Sequence, residues 1–89
     1  MKILFYKKTG CIWCDKMEKY LMDCGFIDNF DVVTVTENNH REVVPFLIQV
    51  TDRQEVGFPI TIIRVNDIQH VIIGFDPYST GKIFEKLKE

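Results

Sequence analysis

The sequence predicts an α/β fold: a mixed four-stranded sheet carrying three helices in the order β-α-β-α-β-β-α. Three observations predict it. The short apolar run Lys2-Ile3-Leu4-Phe5-Tyr6 gives way to a stretch from Trp13 to Cys24 with helical periodicity. Two later apolar runs, Ile60 to Val65 and Gln69 to Ile73, flank Asn66-Asp67, the composition of a short hairpin turn. Asp76-Pro77 then supplies a capping carboxylate and a first-turn proline, a matched start signal for a last helix. A strand-helix-strand opening needs a right-handed crossover and yields a parallel pair, whereas the hairpin adds antiparallel strands.

Each element has its own reason. Lys2 to Tyr6 has the β-branched and aromatic content of a buried strand. The first helix is expected from about Ile12 to Cys24, ending before Gly25, which takes a left-handed cap readily; its buried stripe would include Met17, Tyr20, Leu21 and Cys24. Asp31 to Thr36 forms strand two, with bulk from Val32, Val33 and Val35. The second helix is expected from Arg41 to Thr51, capped by Asn38 or Asn39, with Glu42 closing a capping box from Asn39. Pro45 removes a backbone donor inside that span, so its regular part is expected only from near Val44. The last helix runs on through Ile83, Phe84 and Leu87, weakened slightly by Gly81. Phe5, Phe26, Phe30, Phe46 and Phe84 fall at core spacing.

With 89 residues, 46% hydrophobic and 27% charged, the chain is expected to form one domain over residues 1–89, and it contains no repeat or low-complexity linker. A net charge of −2 with scattered lysines and arginines offers no field for a phosphate backbone, which argues against nucleic-acid binding. No apolar stretch nears the ~20 residues of a membrane span, and the N-terminus lacks a signal-peptide layout, so a cytoplasmic monomer without a membrane partner is expected. Three cysteines, an odd number, do not suit a structural disulfide framework.

Cys11 and Cys14 stand where the first strand hands over to the first helix, and a Cys-x-x-Cys near a βαβ pattern is the cue for thioredoxin-like thiol chemistry. A sulfur at a helix N-terminus faces unpaired backbone N–H groups and the positive end of the macrodipole, both favouring thiolate. Such cysteines ionise at roughly pH 3.5–7.5, against about 8.5 for a free thiol, and Lys7 and Lys8 stand close enough in sequence to add to the effect. Cys14, one turn further in, is expected to be more buried and to act as the resolving thiol. Zinc would need a second ligand pair, and Cys24, His40 and His70 fall on separate elements, so no metal is expected. Cys24 reads as apolar core filler, and neither His40 nor His70 as a candidate base.

Cys11-Ile12-Trp13-Cys14 is followed by Gly57-Phe58-Pro59 and then by Gly74-Phe75-Asp76. With these motifs in this order and at these distances the chain resembles the glutaredoxins over nearly its whole length. The resemblance implies a thioredoxin-like fold with Pro59 cis and opposite the dithiol, where the backbone of Phe58 would pair with the cysteinyl part of glutathione. Gly74, Phe75 and Asp76 would hold the γ-glutamyl end, though Asp76 serves equally as a helix cap. Lys8, with Arg53 as a weaker alternative, would meet the glycine carboxylate, and Trp13 would form an aromatic wall. Ile12, Trp13 and Ile73 depart from the usual proline, tyrosine and glycine.

The function implied is thiol–disulfide exchange on protein or glutathione mixed disulfides, with no tightly bound cofactor and glutathione as reductant; clients by resemblance include ribonucleotide reductase. The Gly-Phe-x-Pro pattern at Gly74 to Pro77 also resembles glutaredoxin-like hydrogen donors served by thioredoxin reductase. A binding adaptor or iron–sulfur carrier is the alternative from another class, and the second cysteine, Cys14, counts against cluster transfer.

Overall fold

A computed structural model describes residues 1–25 and 30–87 of the chain. The elements are β1 (Lys2–Lys8), α1 (Ile12–Asp23), β2 (Phe30–Val35), α2 (His40–Thr51), β3 (Ile60–Val65), β4 (Ile68–Ile73) and α3 (Pro77–Leu87). The sheet order is β2-β1-β3-β4, with β1 and β2 parallel and the other two pairs antiparallel. The element order along the chain is the one predicted, and in the sheet β1 lies inside, bonded on both sides.

Alternation along the strands divides the core in two. Ile3 and Phe5 of β1, Ile63 of β3 and Ile72 of β4 face α1 and α3, where they pack with Met17, Leu21 and Phe84. Leu4, Tyr6, Ile60, Ile62, Val71 and Ile73 point to the other side and pack around Leu47, Val43, Phe46 and Val50 of α2. Burial pushes the Tyr6 phenol above its ordinary range, partly opposed by Arg64. On the first side, the Tyr20 hydroxyl donates to the carbonyl of Pro77 at 3.2 Å, tying α1 to α3. A Cβ at Gly81 would meet the Tyr20 oxygen at 3.4 Å, about ordinary van der Waals contact.

Several boundaries and contacts differ from the sequence reading. β1 extends two residues past Tyr6, because Lys7 and Lys8 pair with Thr34 and Val35 of β2. Cys24 is exposed and follows the last helical residue, Asp23, as the C-cap of α1, so it is no core filler. Gly25 follows with the left-handed φ of +84° that was expected. α2 begins at His40 instead of near Val44 and continues through Pro45. Its first turn is held from outside, the His40 N–H donating to the Thr36 carbonyl at 2.9 Å and that of Val43 to Asn39 at 3.0 Å. The bond that Pro45 forgoes lies on an exposed stretch of the helix. Asn39 makes no side-chain cap. Its Oδ1 accepts from the Thr36 N–H at 2.7 Å and its Nδ2 donates to the Thr34 carbonyl at 2.9 Å, so the side chain braces the end of β2 instead. Phe26 lies outside the described residues.

Thr61, opposite Phe5 in β3, is fully buried and its hydroxyl has no hydrogen-bond partner among the described residues. An unpaired buried hydroxyl costs about 1–3 kcal/mol of desolvation. Thr61→Val keeps the shape and removes the hydroxyl, and urea denaturation should show it about 1 kcal/mol more stable than the parent; a loss of stability would mean that the hydroxyl is satisfied in solution.

Candidate active site

β1 ends in Thr9-Gly10, where Gly10 adopts a φ of +75°, a turn that a side chain would strain. The chain then enters α1 through Cys11, an extended N-cap residue (φ −98°, ψ 108°) whose Sγ accepts the Cys14 N–H at 3.2 Å. The sulfur therefore takes the place that a serine or aspartate oxygen has in an ordinary cap. Cys14 lies one turn on, its Cα 5.2 Å from that of Cys11, and the two sulfurs are joined as a disulfide. The pair is asymmetric in access: Cys14 is wholly buried, whereas Cys11 is partly exposed.

Around the dithiol the other predicted residues form a chain of contacts. The Lys8 ammonium lies 5.8 Å from the Phe58 ring centre. The Phe58–Pro59 peptide bond is cis, and the Pro59 carbonyl accepts the Gly74 N–H at 2.8 Å. Gly74 has a φ of +82°, which explains a glycine at that turn. Phe75, exposed, stacks on Trp13 with ring centres 5.8 Å apart, and Trp13 stands between the two cysteines. The register Ile60↔Ile73 fixes the Pro59 and Gly74 segments side by side. Ile73, where the resemblance leads one to expect glycine, turns into the α2 side of the core. Arg53 is exposed just beyond α2.

Asp76 caps α3: its Oδ1 accepts the Ser79 N–H at 3.0 Å and its Oδ2 accepts the Ser79 hydroxyl at 2.8 Å. These two donors hold its carboxyl below the usual carboxylate range. Both oxygens are thus engaged within α3, which supports the capping role.

Other residues near the dithiol were not foreseen from sequence. Lys16 places its ammonium 4.6 Å from the Trp13 ring centre, and Tyr78, strongly exposed, carries Lys82 at 4.4 Å. A cleft of about 570 Å³ opens on the far side of Lys8, lined by Thr9, Val35, Thr36, Glu37, His40 and Phe58. His40 accordingly stands in a cleft wall and not in a merely polar loop, with its Nδ1 2.9 Å from the Glu37 carbonyl. The parallel β1–β2 pair was the available signal, since it brings both carboxyl ends to one rim. Among the described residues no group of His, Cys, Asp or Glu is arranged to hold a metal ion, and no helix is long and apolar enough to cross a membrane.

No family model matches the chain, and no curated protein matches it in sequence. Solved structures do. The glutaredoxin from Methanosarcina mazei Go1 superposes with a TM-score of 0.61 at 28% identity, covering 97% of this chain and 77% of that one. The glutaredoxin-like protein NrdH-redoxin from Escherichia coli superposes with a TM-score of 0.60 at 17% identity, covering 93% of this chain and 95% of that one.

Replacing Asp76 by asparagine tests the cap through pH. A carboxyl held below its unfolded value stabilises the fold fully above the unfolded pKa of ~3.9, and that contribution is lost as pH falls through the folded value. Thermal melting should therefore show Asp76→Asn below the parent at pH 7, with the gap closing toward pH 3; a gap independent of pH would mean that the carboxylate charge plays no part.

Proposed function

We propose that this glutaredoxin-like member of the thioredoxin superfamily, whose fold and close cysteine pair support thiol–disulfide oxidoreductase activity in general, reduces protein and glutathione mixed disulfides through Cys11 and Cys14. The observation that carries the reading is the asymmetry of the pair. Cys11 is the accessible sulfur at a helix N-terminus and Cys14 the buried one behind it. In the reduced protein, the Cys11 thiolate attacks a target disulfide, forms one S–S bond and releases one target thiolate. Cys14, as thiolate, then attacks the Cys11 sulfur; the Cys11–Cys14 bond forms, the mixed disulfide breaks and the second target thiolate leaves. The target gains two electrons, and the protein disulfide must be reduced again by an external thiol.

Glutathione is the proposed reductant, seated along the contacts described above. The backbone of Phe58 before the cis Pro59 would meet its cysteinyl part, Lys8 its glycine carboxylate, and Gly74, Phe75 and the start of α3 its γ-glutamyl end. A second reading has its own observation: the exposed Trp13–Phe75 pair makes a more apolar rim than a small charged tripeptide requires. On that reading a thioredoxin reductase supplies the electrons and ribonucleotide reductase is the client class. The fold neighbour NrdH-redoxin is described as having a thioredoxin-like activity profile, which supports keeping it.

Turnover of a small mixed disulfide, with glutathione and its reductase in one assay and thioredoxin reductase in another, separates the two; activity in neither would sink both. Cys11→Ser should abolish turnover, and Cys14→Ser should block reduction of protein disulfides while sparing exchange with glutathione. Equal activity of Cys14→Ser and the parent on protein disulfides would contradict the assigned roles.

A further inference from the structure

Consecutive lysines at the end of β1 point to opposite faces of the sheet. Lys8 falls on the α2 side with Leu4 and Tyr6 and reaches Phe58, while Lys7 follows Ile3 and Phe5 toward α1. There its ammonium makes a 2.8 Å ion pair with Glu18 Oε1, both side chains about three-quarters buried (26% and 23% exposed). Glu18 stands four residues after Cys14, so the two share one face of α1 on neighbouring turns. Asp15, one residue after Cys14, adds a weaker attraction to the Lys7 ammonium. The Glu18 hydrogen bond, above all, holds Lys7 more firmly protonated than an ordinary lysine.

We infer that Lys7 and Glu18 are positioning residues for the resolving step, an ion pair set between β1 and α1 that fixes the charge sensed by the buried Cys14 sulfur. The inference rests on the dithiol reading above. Cys14 must be a thiolate when it attacks the Cys11 sulfur, and burial opposes that charge. The groups on this side of the sheet are few. Lys7 comes from β1, and Asp15 and Glu18 from α1 itself; Cys11, in the mixed disulfide, carries no charge. β3 brings Thr61 and Ile63, β4 brings Ile72 and His70, the latter opposite Ile63 and so toward the far end of β1 from Lys7, and α3 brings Thr80, Ile83 and Phe84. Of the charges on and before α3, Asp76 is held by Ser79 and Lys82 lies over the Tyr78 ring. Lys7 is thus the cation on that face which opposes the two α1 carboxylates. It favours the Cys14 thiolate, and Glu18 both anchors it and tempers its field.

Opposite charges have opposite effects, and that separates this role from simple bracing. In the reduced protein with ¹³C-labelled cysteine, the Cβ shift of Cys14 followed against pH should give a midpoint about one pH unit higher in Lys7→Met and about one pH unit lower in Glu18→Gln, with the double variant near the parent. The rate of protein-disulfide release at pH 7 should fall in Lys7→Met and not in Glu18→Gln. Midpoints that move the same way in both variants, or in neither, would overturn the inference. Should Lys7→Met not fold, the downward shift in Glu18→Gln carries the test alone. Turnover by the parent is measured separately, so failure of the dithiol reading shows there and not in the titration.

Discussion

The junction between β1 and α1 is the constraint on which the rest of the site depends. β1 is the central strand, bonded to β2 on one side and β3 on the other, and its alternating side chains feed both halves of the core. Its end is therefore fixed by the whole sheet. Gly10 turns the chain and Cys11 starts the helix, so the sulfur is delivered to the backbone N–H of Cys14 by the fold and not by a flexible loop. Rigid elements place a functional group more accurately than loops can, and the Cys11 sulfur here follows a strand bonded on both sides.

The surroundings of the dithiol follow from the same register. Because β3 pairs with β1 and β4 with β3, the segment before β3 and the segment after β4 meet at the rim where α1 begins. The bond between Gly74 and Pro59 locks them together, and the Trp13–Phe75 stack closes the contact back to α1. One side of the junction is thus apolar and aromatic. The other, past Lys8 and Phe58, is a cleft edged by Glu37 and His40. Beneath it lies the Lys7–Glu18 pair. A single strand end therefore gathers three chemically distinct neighbourhoods around the junction.

Much of this was legible in the sequence where a residue has a strong local preference. Asp76-Pro77 marked the start of α3, Asn66-Asp67 marked the hairpin, Gly25 marked the end of α1, and the cysteine spacing at a strand-to-helix boundary marked the dithiol. The failures share a cause: they depend on where an element meets its neighbours. Cys24 lies on the apolar stripe of the helix by periodicity, yet the helix has already ended at Asp23 and the thiol is exposed. Asn39 could cap α2, but the end of β2 comes close enough to engage its side chain instead. Pro45 is tolerated because Thr36 and Asn39 hold the first turn from outside. The Trp13–Phe75 stack and the Lys7–Glu18 pair join residues far apart in the chain, and no local pattern announces either.

If delivery of the Cys11 sulfur to a helix N-terminus favours its thiolate, the rate at which iodoacetamide alkylates Cys11 in the reduced protein, followed by mass spectrometry across pH, should be half-maximal well below the ~8.5 of a free cysteine, inside the roughly 3.5–7.5 span of helix-start thiols. A midpoint at or above that of a free cysteine would mean that the helix start does not activate the sulfur.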